Sequence, residues 1–175
     1  VMVGSYISLA DQQLEVLLKE KKCSGIELPV EKLLNIFNSN LYEKGIDFFL
    51  KENKKRIEEI LLSNQTPIIF TSREELCFSS SKEKLNFSNR LAELMAKLTA
   101  SLTPQLGYVI SKGGITTHIL LSKGFNFKSV YLQGQILPGL SVVCSNENIN
   151  TSLPIITFPG NLGDKTTLLK VWKLM

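Results

Sequence analysis

Apolar residues along this chain fall into short unbroken runs that alternate with amphipathic stretches. The short runs lack the every-second-residue alternation of a half-exposed strand, so they predict strands buried on both faces. The predicted strands are residues 1–3, 26–30, 66–71, 108–110, 130–132 and 155–158. Residues 136–137 form a further short extended piece before Pro138 and Gly139. Pro29 weakens the second strand, because proline cannot donate to a sheet ladder.

The amphipathic stretches predict helices. In residues 48–62, Phe49, Ile57, Ile60 and Leu61 share one face while lysine, arginine and glutamate occupy the other, which is typical of a solvated helix face. A first helix is expected to be capped by Ser8, which resembles a capping box together with Asp11. The remaining helices are predicted at 33–37, 85–102, 115–122 and 164–174. Lys112, Gly113 and Gly114 are expected to break the strand that begins at residue 108.

Strands that are apolar throughout and alternate with helices indicate a three-layer α/β/α fold with a mostly parallel sheet. The chain has 175 residues, 43% of them hydrophobic and 21% charged, which suits one sizeable core and argues against disorder. We therefore expect a single domain over residues 1–175.

Charge and cysteine content narrow the class of protein further. The formal net charge of +4 favours anionic ligands but is too small to indicate nucleic acid. Cys23, Cys77 and Cys144 lie far apart without metal-ligand spacing, so we expect reduced thiols in a cytoplasmic protein, with no disulfide and no metal-ligating set. No apolar run approaches the roughly 18 residues of a membrane span. The first residues resemble the middle of a strand rather than a signal peptide.

Three glycine-containing loops follow predicted strands, at the edge where parallel sheets bind ligands. They are Gly4 with Ser5, residues 112–117, and residues 158–164. In the middle loop, Gly113 and Gly114 precede a helix whose first N–H groups suit a phosphate, and threonine hydroxyls follow. A tight turn with helix-capping threonines is the alternative, and the same two interpretations apply to residues 158–164. Residues 135–139 are interpreted as a structural turn.

Three isolated polar residues have a functional and a structural interpretation each. His118, the only histidine, is interpreted as a packed or surface side chain, since no nucleophile pairs with it in the sequence. Arg73 follows a buried strand and either meets a phosphate or forms a surface ion pair. Asp164 either holds magnesium or caps the last helix, and the cap is the simpler explanation.

Taken in order, five motifs resemble the C-terminal nucleotide-binding domain of the four-carbon acid sugar kinases. They are G-S at 4–5 with Gln13 shortly after, T-S-R at 71–73, K-G-G-I-T at 112–116, G-Q-I-L-P-G at 134–139 and F-P-G-N-L-G at 158–163. The resemblance implies a two-domain kinase with ATP and Mg²⁺ as cofactors, whose other domain binds a sugar acid such as threonate, erythronate or 3-oxotetronate. It also implies nucleotide contacts at Ser5, Gly113, Gly114, Ile115, Thr116 and Gly160.

The sequence departs from that family at Ile115, where many members have an acidic residue. Nothing in the chain resembles the substrate domain, so no catalytic residue is assigned, the base is expected on an N-terminal domain, and residues 1–175 alone should be inactive. Two alternatives stay open: a non-catalytic module that binds a nucleotide or sugar phosphate, and an effector or interaction protein. A homo-oligomer is compatible with the sequence, and no nucleic acid or membrane partner is expected.

Overall fold

The protein forms a seven-stranded sheet in strand order β2-β3-β1-β4-β7-β6-β5. The structure is a computed structural model, which describes residues 1–73, 76–146 and 153–175. The strands are β1 (Met2–Val3), β2 (Cys23–Leu28), β3 (Thr66–Thr71), β4 (Val109–Lys112), β5 (Val130–Leu137), β6 (Leu140–Ser145) and β7 (Ile155–Phe158). Strands β1, β2, β3, β4 and β7 run parallel, whereas β6 is antiparallel to both β7 and β5.

Helices cover both faces of this sheet, so the predicted three-layer α/β/α class with a mostly parallel sheet is confirmed. The helices are α1 (Ser8–Leu18), α2 (Val30–Phe37), α3 (Tyr42–Leu62), α4 (Ser81–Ala100), α5 (Gly114–Ile119) and α6 (Thr167–Leu174). One core lies between the sheet and α2 to α5, and it includes Met2, Ile57, Met95 and Ile155. The other lies under α1 and α6 and includes Leu17, Ile110, Phe158 and Val171.

The start of α1 differs from its prediction. Ser8 is the first residue of the helix rather than its cap, and the preceding Ile7 makes no side-chain capping bond. Asp11 does not close a capping box, because its carboxylate lies 2.8 Å from the guanidinium Nε of Arg73. A true serine cap occurs at α4 instead, where Ser80 Oγ accepts from the backbone N–H of Glu83.

The antiparallel edge of the sheet was only partly predicted. Residues 130–132 and 136–137 belong to one strand, β5, and its partner β6 was not predicted at all. The turn at Pro138 and Gly139 is confirmed: Leu137 pairs with Leu140 across it, and Gly139 has a φ of 81°. The strand predicted at 26–30 begins three residues earlier and ends two residues earlier, at Cys23–Leu28, so that Pro29 falls outside the ladder.

Cys23 and Cys144 are buried and Cys77 is exposed. Within the described parts of the chain, no helix is both long and apolar enough to cross a bilayer.

Candidate functional site

The carboxyl ends of β1, β4 and β7 lie side by side at the centre of the sheet, and their three loops enclose a cleft of about 240 Å³. This places each loop where ligands bind in open parallel sheets. All six residues predicted to contact a ligand line the cleft: Ser5, Gly113, Gly114, Ile115, Thr116 and Gly160. Ser5 and Gly160, which are 155 positions apart in the sequence, thus meet because three parallel strands end at the same edge of the sheet.

Gly4 sets the distance between the first loop and α5. Its N–H donates to the Lys112 carbonyl at 3.1 Å, which continues the pairing of β1 with β4. A Cβ at Gly4 would overlap the Thr116 hydroxyl. Only glycine therefore allows the chain after β1 to lie against the first turn of α5.

Gly113 turns the chain from β4 into α5. Its φ of 119° lies in the region that favours glycine, and its N–H donates to the Phe158 carbonyl at 2.9 Å. Gly114 has no such φ, and a Cβ added to it would meet nothing within 4 Å. The two glycines therefore differ: Gly113 is needed by the backbone, whereas Gly114 leaves open space beside the helix start.

The first turn of α5 offers backbone donors to the cleft. The first N–H groups of a helix have no partner within it, so those of Gly114, Ile115 and Thr116 are available to an acceptor. The helical chain continues as a wider turn from Leu120 to Gly124, so the segment extends beyond α5 itself. An anion beside Gly114 would therefore meet several N–H groups and the positive end of a helical segment.

The two threonines of α5 have different roles. Thr117 Oγ1 donates to the Ser111 carbonyl at 3.0 Å, which is a structural bond to the end of β4. Thr116 is buried against Gly4 and Gly113 and lines the cleft. The prediction of a hydroxyl at the site thus remains for Thr116. Thr117 does not cap α5, because the N-cap of this helix is Gly113 and no side chain makes a capping bond.

The opposite wall of the cleft is largely apolar. Helix α4 contributes Leu91, Ala92 and Met95, all buried, and Ser88. Tyr6 and Thr71 complete the lining from the ends of β1 and β3. A few polar groups that converge against an apolar wall are typical of a small-molecule site.

Arg73 follows the cleft residue Thr71 by two positions but does not itself line the cleft, and its guanidinium is already engaged. Besides the contact with Asp11, its guanidinium carbon lies 5.3 Å from the centre of the Tyr6 ring. The structure therefore matches the ion-pair interpretation of Arg73. His118 is exposed on α5, in a neighbouring groove that also includes Ile115 and the ion pair of Glu93 with Lys123.

Asp164 lies just ahead of α6 and is fully occupied by local donors. Its Oδ1 accepts from the backbone N–H of Thr166 at 2.8 Å and from the Thr166 hydroxyl at 2.7 Å, and Oδ2 lies 3.2 Å from Lys170 Nζ. These hydrogen bonds hold the pKa of its carboxyl well below the usual range. Asp164 thus organises the turn before α6, but the expectation that it caps the helix is wrong, because α6 begins at Thr167 and its N-cap is Thr166, which makes no side-chain capping bond.

Lys112 is a residue whose importance the sequence analysis missed. It is the last residue of β4 rather than a strand breaker, and none of its surface is exposed. Its Nζ donates to the carbonyls of Pro159 at 3.2 Å and Gly160 at 3.1 Å, and lies 4.0 Å from the centre of the Phe158 ring. Burial lowers the pKa of Lys112 from 10.5 to about 8. The available signal was a lysine inside an apolar strand, directly before two glycines.

This combination of a parallel sheet, glycine loops at its carboxyl edge and free helical N–H groups defines a nucleotide-binding class of α/β domain. The model of the nucleotide-binding C-terminal domain family matches residues 1–168, and the chain belongs to that family. The resemblance stated from the motifs is thereby confirmed. Among curated proteins, no match was found.

Solved structures share this fold. A Bordetella bronchiseptica domain of unknown function (DUF1537), a domain-swapped dimer with bound citrate, has a TM-score of 0.73 and 15% identity over 98% of this chain and 39% of its own. A Salmonella typhimurium protein provisionally named a tRNA synthase scores 0.70 at 16% identity, over 99% of this chain and 40% of its own. A DUF1537 protein from Haemophilus influenzae scores 0.65 at 16% identity, over 99% and 39%. The chain thus spans about two fifths of the length of these relatives.

Proposed function

We propose that the cleft binds the phosphates of ATP, and that the chain is the nucleotide-binding domain of a kinase that converts four-carbon sugar acids to their 4-phosphates. The substrates we expect are threonate, erythronate or 3-oxotetronate. One observation carries the proposal: the loops after β1, β4 and β7 meet around a single cleft in a chain that belongs to a nucleotide-binding family.

The residues of the cleft suit a phosphate chain. The N–H groups of Gly114 and Ile115 would donate to phosphate oxygens, and the open space beside Gly114 lets those oxygens approach the backbone. The hydroxyls of Ser5 and Thr116 add side-chain donors to the cleft. Phosphoryl transfer depends mainly on positioning and charge neutralisation, which such a cradle supplies.

We expect Mg²⁺ to be coordinated mainly by the nucleotide phosphates and water rather than by protein carboxylates. Among the described residues that line the cleft there is no carboxylate, whereas Ser5, Thr71 and Thr116 offer hydroxyl oxygens. Mg²⁺ bound to substrate phosphates commonly keeps several waters and few protein ligands. When bound, the ion would neutralise phosphate charge, and the residues of this chain would position the phosphates and exclude water.

The sugar acid and the catalytic base are expected on another domain of the full-length protein. The chain spans about two fifths of the length of its solved relatives, and we assign the substrate domain to the part of the full-length protein that corresponds to the other three fifths. Ile115 stands where many members of the kinase family have an acidic residue, and it is an exposed apolar side chain at the cleft. It cannot accept a proton, so the base must come from elsewhere.

Two measurements test this proposal. Calorimetric titration of residues 1–175 should show binding of ATP–Mg and of inorganic tripolyphosphate, and much weaker binding of adenosine. The full-length protein should release ADP when given one of the three sugar acids, whereas residues 1–175 alone should not. ATP binding without turnover in the full-length protein would favour the non-catalytic module, and no ATP binding would exclude both the kinase and the module.

We expect the protein to be cytoplasmic. The free thiols of Cys23, Cys77 and Cys144 support this location.

A further inference from the structure

A buried ammonium group lies behind the cleft, on the side away from solvent. Lys112 is entirely buried, and it pairs in register with Val3 on one side and Phe158 on the other. Its aliphatic stem therefore stays within the core under α1 and α6, while Nζ reaches the chain that follows β7. Buried lysine is uncommon unless it has a specific partner, so its contacts call for an explanation.

The contacts of Lys112 set the direction of two peptide groups. Nζ donates to the carbonyls of Pro159 and Gly160. In a trans peptide group the carbonyl and the following N–H point in opposite directions, and the described chain contains no cis peptide bond. The N–H groups of Gly160 and Asn161 therefore point away from Lys112. Gly160 itself lines the cleft, whereas Lys112 does not.

We propose that Lys112 is a positioning residue of the nucleotide site, whose ammonium orients the N–H groups of Gly160 and Asn161 toward the bound phosphates. The inference rests on the proposed function, since it assigns those N–H groups to phosphates. Two more donors would then face the phosphates from β7, opposite the donors of α5. The Lys112 side chain itself does not line the cleft and does not touch the nucleotide.

The ammonium also places an unneutralised positive charge close to the cleft. Its neighbouring strands, Met2–Val3 and Ile155–Phe158, carry no titratable side chain, and neither do residues 159–163. The face of the Phe158 ring attracts the cation but carries no net charge that would neutralise it. Such a charge favours a polyanion over a neutral ligand.

The carboxylates of α1 and of the turn before α6 are paired elsewhere or, in the case of Glu15, exposed. On α1, Asp11 pairs with Arg73, and the buried Gln13 is neutral and donates to the carbonyls of Leu162 and Asp164. Ahead of α6, Asp164 pairs with Lys170. Desolvation alone thus lowers the pKa of Lys112, to about 8, which brings its titration within an accessible range.

The first test compares Lys112→Met with Lys97→Met, which removes the same charge from an exposed position on α4. Titration with ATP–Mg and with tripolyphosphate at about pH 7 should show at least about tenfold weaker binding for Lys112→Met, and no change for Lys97→Met. Between about pH 7 and 9.5, affinity of the parent should fall as Lys112 loses its proton, whereas that of Lys112→Met should stay level. An affinity within about twofold of the parent overturns the proposal.

The second test needs neither a ligand nor a variant. The backbone amide NMR signals of Gly160 and Asn161 should shift together with an apparent pKa of about 8. If these signals do not move between about pH 7 and 9.5, Lys112 does not set the loop and the proposal is wrong. If the parent binds neither ATP nor tripolyphosphate, the proposed function fails, and the amide titration still decides whether Lys112 orients the loop.

Discussion

The hydroxyl of Ser5 occupies the space in which a side chain at Gly160 would lie. A Cβ built on Gly160 would be 2.7 Å from Ser5 Oγ and 3.5 Å from Ser5 Cβ. The first distance is too short and the second is an ordinary contact, so a methyl group at 160 would displace the hydroxyl without displacing the backbone. The loops after β1 and β7 thus approach each other so closely at Ser5 Oγ that only glycine at position 160 leaves this oxygen in place.

We expect Gly160→Ala to weaken ATP–Mg binding to the same extent as Ser5→Ala, because each removes the Ser5 hydroxyl from its place. One hydrogen bond from a hydroxyl to a charged phosphate corresponds to roughly 1.5–3 kcal/mol. The double variant should bind no worse than the weaker single variant, a non-additivity that calorimetric titration of all four proteins measures. Additive losses would mean that the two residues act independently.

Gly114→Val should weaken ATP–Mg binding by well over tenfold and leave the fold intact. The branched side chain would fill the open space through which phosphates reach the N–H groups of α5, at a loss of charge-assisted bonds of roughly 1.5–3 kcal/mol each. Because Gly114 has no positive φ, the free energy of unfolding should change by less than about 1 kcal/mol.

Two control variants accompany Gly114→Val. Gly107→Val also adds a side chain in open space, but in a loop at the other end of the sheet, and should not affect binding. Thr116→Val removes one hydroxyl and keeps the shape, so its effect should be smaller. A Gly114→Val protein that melts normally and binds ATP like the parent would mean that the Gly113 and Gly114 loop is only a turn.

Arg73→Gln should leave ATP–Mg affinity within about twofold, because the guanidinium is held by Asp11 and Tyr6 rather than directed at phosphates. Chemical denaturation should show a loss of no more than about 1 kcal/mol, the usual range for a partly exposed ion pair. A tenfold loss of affinity with unchanged stability would instead restore the phosphate-binding interpretation of Arg73.

Lys112 should give the fold a pH dependence that Lys112→Met lacks. Its pKa is about 8 in the folded protein and 10.5 ordinarily, so between these values the unfolded chain binds more protons. The free energy of unfolding of the parent should therefore rise relative to the variant over that range, by up to about 3 kcal/mol. Below about pH 8, the variant should be the more stable protein.

Urea denaturation of both proteins from about pH 7 to 10 measures this difference. Burial also raises the pKa values of Tyr6, Tyr108 and Cys23, and subtracting the two profiles removes their contribution, which is common to both proteins. Parallel profiles would show that the Lys112 ammonium is not desolvated in the folded state. A variant that is more stable yet binds ATP less tightly would separate the functional role of Lys112 from a structural one.

Burial decided how much of the fold was predictable. Strands β3 and β7 were predicted with their observed bounds, because strands that are covered on both faces require unbroken apolar runs. Strand β5 lies at the edge with Val130, Tyr131 and Leu132 all exposed, and Gly134 interrupts it with a φ of 150°. Strand β6 pairs with β5 along this edge. The pattern of buried positions therefore predicted neither the bounds of these two strands nor their pairing.

The candidate site was predictable where it consists of glycines after strands. Gly113, Gly114 and Gly160 meet because parallel strands share one edge, which the strand pattern indicates. The contacts of Arg73 with Asp11 and of Lys112 with the carbonyls of Pro159 and Gly160 join residues distant in sequence. Their partners depend on how loops pack, and no local pattern in the sequence encodes that.

The overlap between a Cβ at Gly4 and the Thr116 hydroxyl has a consequence for the evolution of the family. A larger residue at position 4 becomes tolerable only if position 116 loses its branched side chain, so the two positions should change together across related sequences. Related sequences with threonine at position 116 should have glycine at position 4, and sequences with a larger residue at position 4 should have a smaller residue at position 116. Covariation of positions 4 and 116 would thus reflect the short distance between the end of β1 and the start of α5.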